Sequence, residues 1–372
     1  MSLVSRRLAD AAKSVIVSSD GILFVNDDPP SPLCTALDSP LVLSWAPHVR
    51  GLWLCEEWCN QTGITFLQLA KKLRSLSLPC HRPLSGARAN YILPFCNQVT
   101  RLSLDGAFIP SRFPSALREL FVSLRGTHGA DSWEMQLPNA LIYTLAHVKG
   151  LRRLSITLHH EDVELTCPVL LSPLDVLYIQ FPFCDNSDRN LDWLQRQPCR
   201  ELKLDILIHT ISLESHQQLI AVLQKLQIST LKLSLCRHLP RFVQAVWQAV
   251  RVEKQCTVDL TPGYSEHVRV LHALPRCPRL VVESTSSQKK VSIQVHWAAL
   301  VDQAADIRIS MYTGSELHIL AGCDLPAWLL PLRWQLEVWS ASHVHGFEHA
   351  HRQGKHWYMQ SPGAIAAGWS AV

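Results

Sequence analysis

No stretch of eighteen apolar residues occurs in the chain, so the sequence encodes no helix able to span a bilayer. The first twenty residues, MSLVSRRLADAAKSVIVSSD, carry Arg6 and Arg7 but lack the apolar block of a secretory signal. Asp10 and Asp20 count against an amphipathic transit peptide. A soluble cytoplasmic or nuclear protein without a membrane partner is therefore expected. Enzyme signatures are missing too: G-x-S-x-G, Walker A, H-E-x-x-H, G-x-G-x-x-G and C-x-x-C do not occur. Neither catalysis nor a cofactor is expected. Charged residues are scarce at 18% and nearly cancel, leaving +4 over 372 residues. That is well short of the basic excess of a general nucleic-acid binder, so nucleic acid is a poor candidate partner.

What the chain has in quantity is apolar side chains, 47% of residues, which excludes disorder and supplies a large core. Its twelve cysteines are scattered rather than clustered, which suits reduced, buried thiols. Cys199 and Cys277 stand where neighbouring segments carry the first apolar residue of a recurring motif, and Cys236 stands at that motif's ninth position.

That motif is clearest in Ile228 to Leu239, ISTLKLSLCRHL, with the spacing I-x-x-L-x-L-x-x-C-x-x-L. In an extended L-x-L-x-L run successive side chains alternate across the strand, so Leu231 and Leu233 share one face while Lys232 and Ser234 share the other. One such strand cannot bury its apolar face alone; stacked copies can. The positions equivalent to Leu231 are Leu52, Leu76, Leu102, Leu120, Leu154, Leu177, Leu202, Val258, Leu280, Ile307 and Leu336, spaced 18 to 34 residues apart, about 26 on average.

Several intervening segments read as helices. Ser215 with Gln218 forms a capping box before Leu219, Ile220, Leu223 and Leu226. Pro138 and Pro240 sit where first helical residues belong, and Gly150 closes the helix that Pro138 opens. The 18-residue step from Leu102 to Leu120 leaves no room for a helix, so an extended return is expected there. The 34-residue step from Leu120 to Leu154 carries an extra loop, Arg125 to Ser132.

The pattern resembles irregular intracellular leucine-rich repeats of the ribonuclease-inhibitor and F-box-associated kind over roughly residues 48–340. Positions His81, Ala107, His159 and Gly263 depart from the Asn or Cys usual at the ninth position. The resemblance implies an α/β leucine-rich-repeat solenoid of about 11–12 repeats. A curved parallel sheet would line its concave face, with helices and extended segments on the convex face. Residues 1–47 then read as an N-terminal capping segment, with Ser14–Ser19 and Ile22–Asn26 as a hairpin about Asp20-Gly21. Residues 341–372 read as a His-, Gly- and Trp-rich polar tail. Such repeat proteins commonly serve as scaffolds or as substrate receptors of cullin-type ubiquitin ligases, here with an F-box-like segment degenerate within the first 45 residues.

In a stack, sequence columns become surface rows at about 4.8 Å per strand. Arg50, Arg74, Arg101, Arg118, Arg153 and Arg200, continued by Lys203 and Lys232, are expected to form one basic row. Guanidinium forks suit carboxylates or phosphates, and such a row equally suits a merely soluble strand surface. Trp53, Phe121 and Tyr178, with Trp339 near the far end, fall in aromatic positions of the same face; they either anchor a partner or cover one another. The expected partner is a protein with acidic surface, ubiquitin-ligase components being one possibility; a nucleic acid or phosphorylated ligand on the basic row is the alternative. Cys55, Cys59, Cys80 and His81 have the donor chemistry of a zinc site, but Cys-x3-Cys is a weak spacing and free thiols explain it, so no metal is assigned. His343, His345, His349, His351 and His356 are read as polar surface.

Overall fold

The structure is a computed structural model that describes residues 22–25, 43–44, 46–54, 61–80, 85–106, 109–124, 137–159, 167–183, 192–208, 212–235, 241–259, 268–271, 275–283, 292–296, 306–310, 316–320, 335–339, 343–345, 350–353 and 356–360. It is α/β, built on open sheets whose strands are mostly parallel. The chain divides into two units, Met1–Tyr178 with Asp188–Arg200, and Ile179–Ser187 with Glu201–Val372.

In the first unit the strands lie in sequence order: β1 (Ile22–Val25), β2 (Gly51–Leu54), β3 (Ser75–Cys80), β4 (Arg101–Gly106), β5 (Glu119–Leu124), β6 (Arg153–Leu158) and the start of β7 (Leu174–Phe183). Leu52, Leu76, Leu102, Leu120 and Leu154 are successive register partners. All five are buried, as are Leu54, Leu78, Leu104, Val122 and Ile156 two residues on, so every second side chain enters one shared core. Full burial of each such side chain contributes roughly 1.5–3 kcal/mol. Ile22–Val25 pairs parallel with β2, Leu23 beside Leu52, so this arm of the expected hairpin, within the segment read as a cap, adds a rung to the sheet. Ser14–Ser19, the other arm, lies outside the described residues.

The returns differ from step to step. α1 (Gln61–Leu69) and α2 (Ser85–Ile92) follow β2 and β3, and α3 (Leu137–Leu145) follows β5. Helix α3 packs Leu137, Pro138, Leu141, Ile142 and Leu145 inward at helical spacing. Between β4 and β5 the described residues hold no helix, matching the short step. Residues 167–173, ahead of β7, form no helix or strand and are held by the side chain of Gln197, 4% exposed. Its Oε1 accepts from the Leu171 amide at 2.8 Å and its Nε2 donates to the carbonyls of Leu171 and Pro198. These bonds replace the backbone partners that a regular element would have supplied. Trp193 of α4 (Asp192–Arg196) donates to the Val169 carbonyl at 2.9 Å from the same side.

In the second unit the strand order is β8 (Cys199–Ile208, from Glu201 onward), β9 (Ile228–Leu235), β10 (Val252–Asp259), β12 (Arg279–Glu283), β14 (Asp306–Ser310) and β16 (Gln335–Trp339). Helix α5 (Leu213–Leu223) separates β8 from β9, and α6 (Arg241–Trp247) separates β9 from β10. Helix α5 begins a turn before the expected capping box because Ser212 takes the cap, its Oγ accepting from the Ser215 amide at 3.2 Å. After β10 the returns change character. β11 (Val268–Leu271), β13 (Ser292–His296), β15 (Glu316–Leu320) and β17 (His343–His345) replace helices and form a second parallel sheet. Beyond β16 the pairing turns antiparallel, through β19 (His356–Gln360) and β18 (Ala350–Gln353), where the sequence leaves the repeat pattern.

Two positions of the expected column are corrected. Leu231 pairs with Leu204, not Leu202, and with Cys256, not Val258. The register slips at Ser229 against β8 and again between Val252 and Gln255 against β10, where each bulge inserts a residue. Both offsets are two residues, so the buried face is preserved. From Cys256 the column continues through Leu280, Ile307 and Leu336 as expected. Cys96, Cys167, Cys256 and Cys277 are buried thiols and Cys199 a half-buried one, none of them in a disulfide.

Candidate interaction face

The solvent side of the first unit's sheet is set by the residues between the buried leucines. Backbone hydrogen bonds run from Arg74 N to Arg50 O, Thr100 N to Arg74 O, Arg118 N to Thr100 O and Arg152 N to Arg118 O, so Arg50, Arg74 and Arg118 lie in one column at the N-terminal mouth of the strands. Arg101 and Arg153 belong to the next column, where Arg101, Glu119 and Arg153 are lateral neighbours. The single basic row expected here is therefore two columns with different work to do.

The mouth column is largely structural. Arg74 Nη1 donates to the carbonyls of Leu73 and Gln98 at 3.2 and 3.3 Å. Arg118 Nη1 donates to the Gly150 carbonyl at 3.0 Å. Gly150 has φ +92°, and a Cβ built on it would stand 1.8 Å from that same guanidinium nitrogen. The left-handed backbone requires glycine, and an added side chain would also displace the Arg118 guanidinium.

The inner column is a charge cluster. Glu119 lies 3.9 Å from Arg101 and 3.8 Å from Arg153, and the two arginine side chains remain 57% and 59% exposed. One carboxylate between two guanidiniums leaves a net positive charge and most of their N–H donors facing solvent. Arg101 also lies over the Phe121 ring, 4.7 Å from its centroid.

A third column runs Trp53, Ser77, Ser103, Phe121 and Ser155. The bonds from the Asp175 and Val176 amides to the Arg152 carbonyl repeat those from Arg152 and Arg153 to Arg118, which puts Tyr178 next after Ser155. Trp53, Phe121 and Tyr178 are each half-buried. Serines separate them, so the aromatics do not cover one another as β-sheet neighbours would. Farther along, Ser123 Oγ and His159 Nε2 are hydrogen-bonded at 3.0 Å. Arg200, at the start of β8, is exposed.

Lys203 and Lys232 lie in the second unit among carboxylates rather than extending a basic row. Lys203 is 3.6 Å from Glu201, which Lys254 also approaches to 3.0 Å. Lys232 hydrogen-bonds Glu283 at 2.8 Å and lies 3.3 Å from Asp259. Asp205 and Asp259 are 6% and 7% exposed. Burial works against the Lys232 charge, but the hydrogen bond to Glu283 and the fields of Asp259, Glu283 and Asp205 outweigh it and hold its pKa above the ordinary lysine value. This acidic cluster escaped sequence reading because the column drawn through Leu202 put Lys203 beside Lys232, where the structure puts Asp205. Glu119 was readable as the residue between two arginines once the strands were aligned.

Cys55, Cys59 and His81 of the zinc donor set, and the loop from Arg125 to Ser132, lie outside the described residues. Among the described residues no three His, Cys, Asp or Glu side chains are grouped to hold a metal ion, and no helix is long and apolar enough to cross a membrane. No protein-family model, curated protein or solved structure gives a significant match to the chain.

Proposed function

We propose that this chain is a leucine-rich-repeat scaffold without catalytic activity that binds a protein partner on the solvent face of its first unit. The observation that carries this reading is the cluster of Arg101, Glu119 and Arg153 beside Phe121, with Trp53 and Tyr178 in the adjoining aromatic column. Exposed guanidiniums beside half-buried aromatics are the side chains most often found at binding hot spots. The net positive charge of the cluster favours an acidic partner surface. Glu119 between the arginines, and the carboxylates around Lys232, work against binding to a phosphate backbone. The F-box-like segment proposed for residues 1–45 falls mostly outside the described residues, and the described part includes a sheet strand.

A photo-crosslinking amino acid placed at Ser75 of the full chain, beside Arg101 and outside the aromatic column, tests the reading in cells. A discrete adduct should form, and Arg101→Glu with Arg153→Glu should lower its yield at least tenfold without moving the thermal transition. An adduct indifferent to the charge reversal would contradict the reading.

A further inference from the structure

The partner's own geometry can be read from the aromatic column of this face, and the inference rests on the reading just given. Adjacent strands are about 4.8 Å apart, so Trp53 and Phe121, three strands apart, are separated by about 14 Å. Between them the floor is Ser77 and Ser103, two small side chains on neighbouring strands. Phe121 and Tyr178 are two strands apart, about 10 Å, with Ser155 alone between them. The column is thus two recesses walled by aromatics and floored by serine, a wider one and a narrower one. Their centres are about two and a half strand spacings apart, on the order of 12 Å.

What can fill both recesses is limited by hydrogen bonding. Along this face the backbone N–H and C=O groups are engaged by neighbouring strands in the ladder. A peptide lying extended across the strands would find little to pair with its own backbone, and β-strand addition takes place at a sheet edge, not on a face. A helix satisfies its backbone internally and presents only side chains. Side chains seven residues apart on a helix project on nearly the same face and are about 10.5 Å apart along the axis, close to the separation of the recesses. Phe121 rises between the recesses, so the turn that crosses it needs a small side chain. Arg101 and Arg153 flank that crossing on one side, where an acidic side chain would meet both.

We propose that the partner docks through an amphipathic helix lying across β3 to β7, with apolar side chains at i and i+7 seated over Ser77–Ser103 and over Ser155, a small residue between them, and a carboxylate on the flank facing Arg101 and Arg153. Filling the recesses with tryptophan should abolish docking, because the knobs then have no hole.

The test is selection of random 18-residue displayed peptides on the full chain, with recovered peptides rescreened against Ser103→Trp, Ser77→Trp, Ser155→Trp and the double charge reversal. Thermal melting identifies which variants retain the fold, and only those are used. Peptides that lose at least tenfold in affinity on a recess-filling variant are expected to become helical on binding by circular dichroism. They are also expected to carry the i, i+7 apolar pair with an acidic residue between. Recess-dependent peptides with a central proline, or with apolar residues at alternate positions, would overturn the helix and leave the face standing. Recovery of no peptide sensitive to recess filling or charge reversal would overturn the face and the helix together.

Discussion

Arg101 lies over the ring of Phe121, 4.7 Å from its centroid, while its guanidinium edge points 3.9 Å from Glu119 on the same neighbouring strand. The two contacts use different parts of one cation, the planar face and the N–H rim. A double-mutant cycle between Arg101→Ala and Phe121→Leu, read by chemical denaturation, should give a coupling of about 0.5–1 kcal/mol, the size of a solvent-exposed cation–π contact. A coupling near zero would mean that the ring merely lies beside the guanidinium.

Gly150→Ala should destabilise the first unit by about 1–3 kcal/mol, since φ +92° is strained for any side chain and the new methyl displaces the Arg118 guanidinium. Adding Arg118→Ala removes the collision but not the backbone strain, so the double variant should recover only part of the lost stability in a thermal melt. Full recovery would locate the whole effect in the side-chain contact.

Lys232→Met should lower the stability of the second unit. It leaves Asp259 and Glu283 facing one another without their shared ammonium, with Asp205 close by. Lys232 is 33% exposed, so solvent screening reduces the cost to about 1–2 kcal/mol, below the loss for a fully buried pair. The deficit, measured by denaturant titration, should shrink as the carboxylates protonate at low pH. A deficit independent of pH would point to lost packing instead.

The pH profile of stability should fall at both ends. The Glu201 carboxyl is held below its ordinary 4.5, first by the hydrogen bond from Lys254. Its folded pKa is depressed, so the stability it contributes is present above 4.5 and lost as pH falls through the folded value. Lys232 has a raised folded pKa; its contribution is present below 10.5 and lost as pH rises through the folded value. Glu201→Gln should flatten the acid limb and leave the alkaline limb intact, whereas Lys232→Met should flatten the alkaline limb and, by removing the ammonium that Asp259 and Glu283 share, the acid limb as well. Urea titrations at fixed pH values between 3 and 12 separate the two.

Much of the sheet was legible from residue identity alone. Leucine at alternate positions recurs about every 26 residues, and a buried face imposes that periodicity regardless of what the loops contain. The register failed where consensus hydrophobes and structural neighbours parted. Cys256 is as buried as any leucine, yet Val258 matches the motif better, and a bulge leaves no composition signal. The change from helical to strand returns after β10 was also hidden, because short apolar runs such as Val268–Leu271 fit either state. At the candidate face, the residue types were readable but their partners were not. Arg74, Arg101 and Arg118 look alike in a column, and only pairing shows two of them capping carbonyls and one meeting Glu119.

Everything proposed for the first unit depends on Ser77 and Ser103 being side-by-side neighbours with Ser155 two strands beyond. Cysteine pairs report this directly, and peptide mapping by mass spectrometry separates engineered from native thiols. Under mild oxidation Ser77→Cys with Ser103→Cys should cross-link readily, because lateral partners stand within disulfide reach, whereas Ser77→Cys with Ser155→Cys, about 14 Å apart, should not. Cross-linking of the second pair in preference to the first would contradict the parallel ladder and the face built on it.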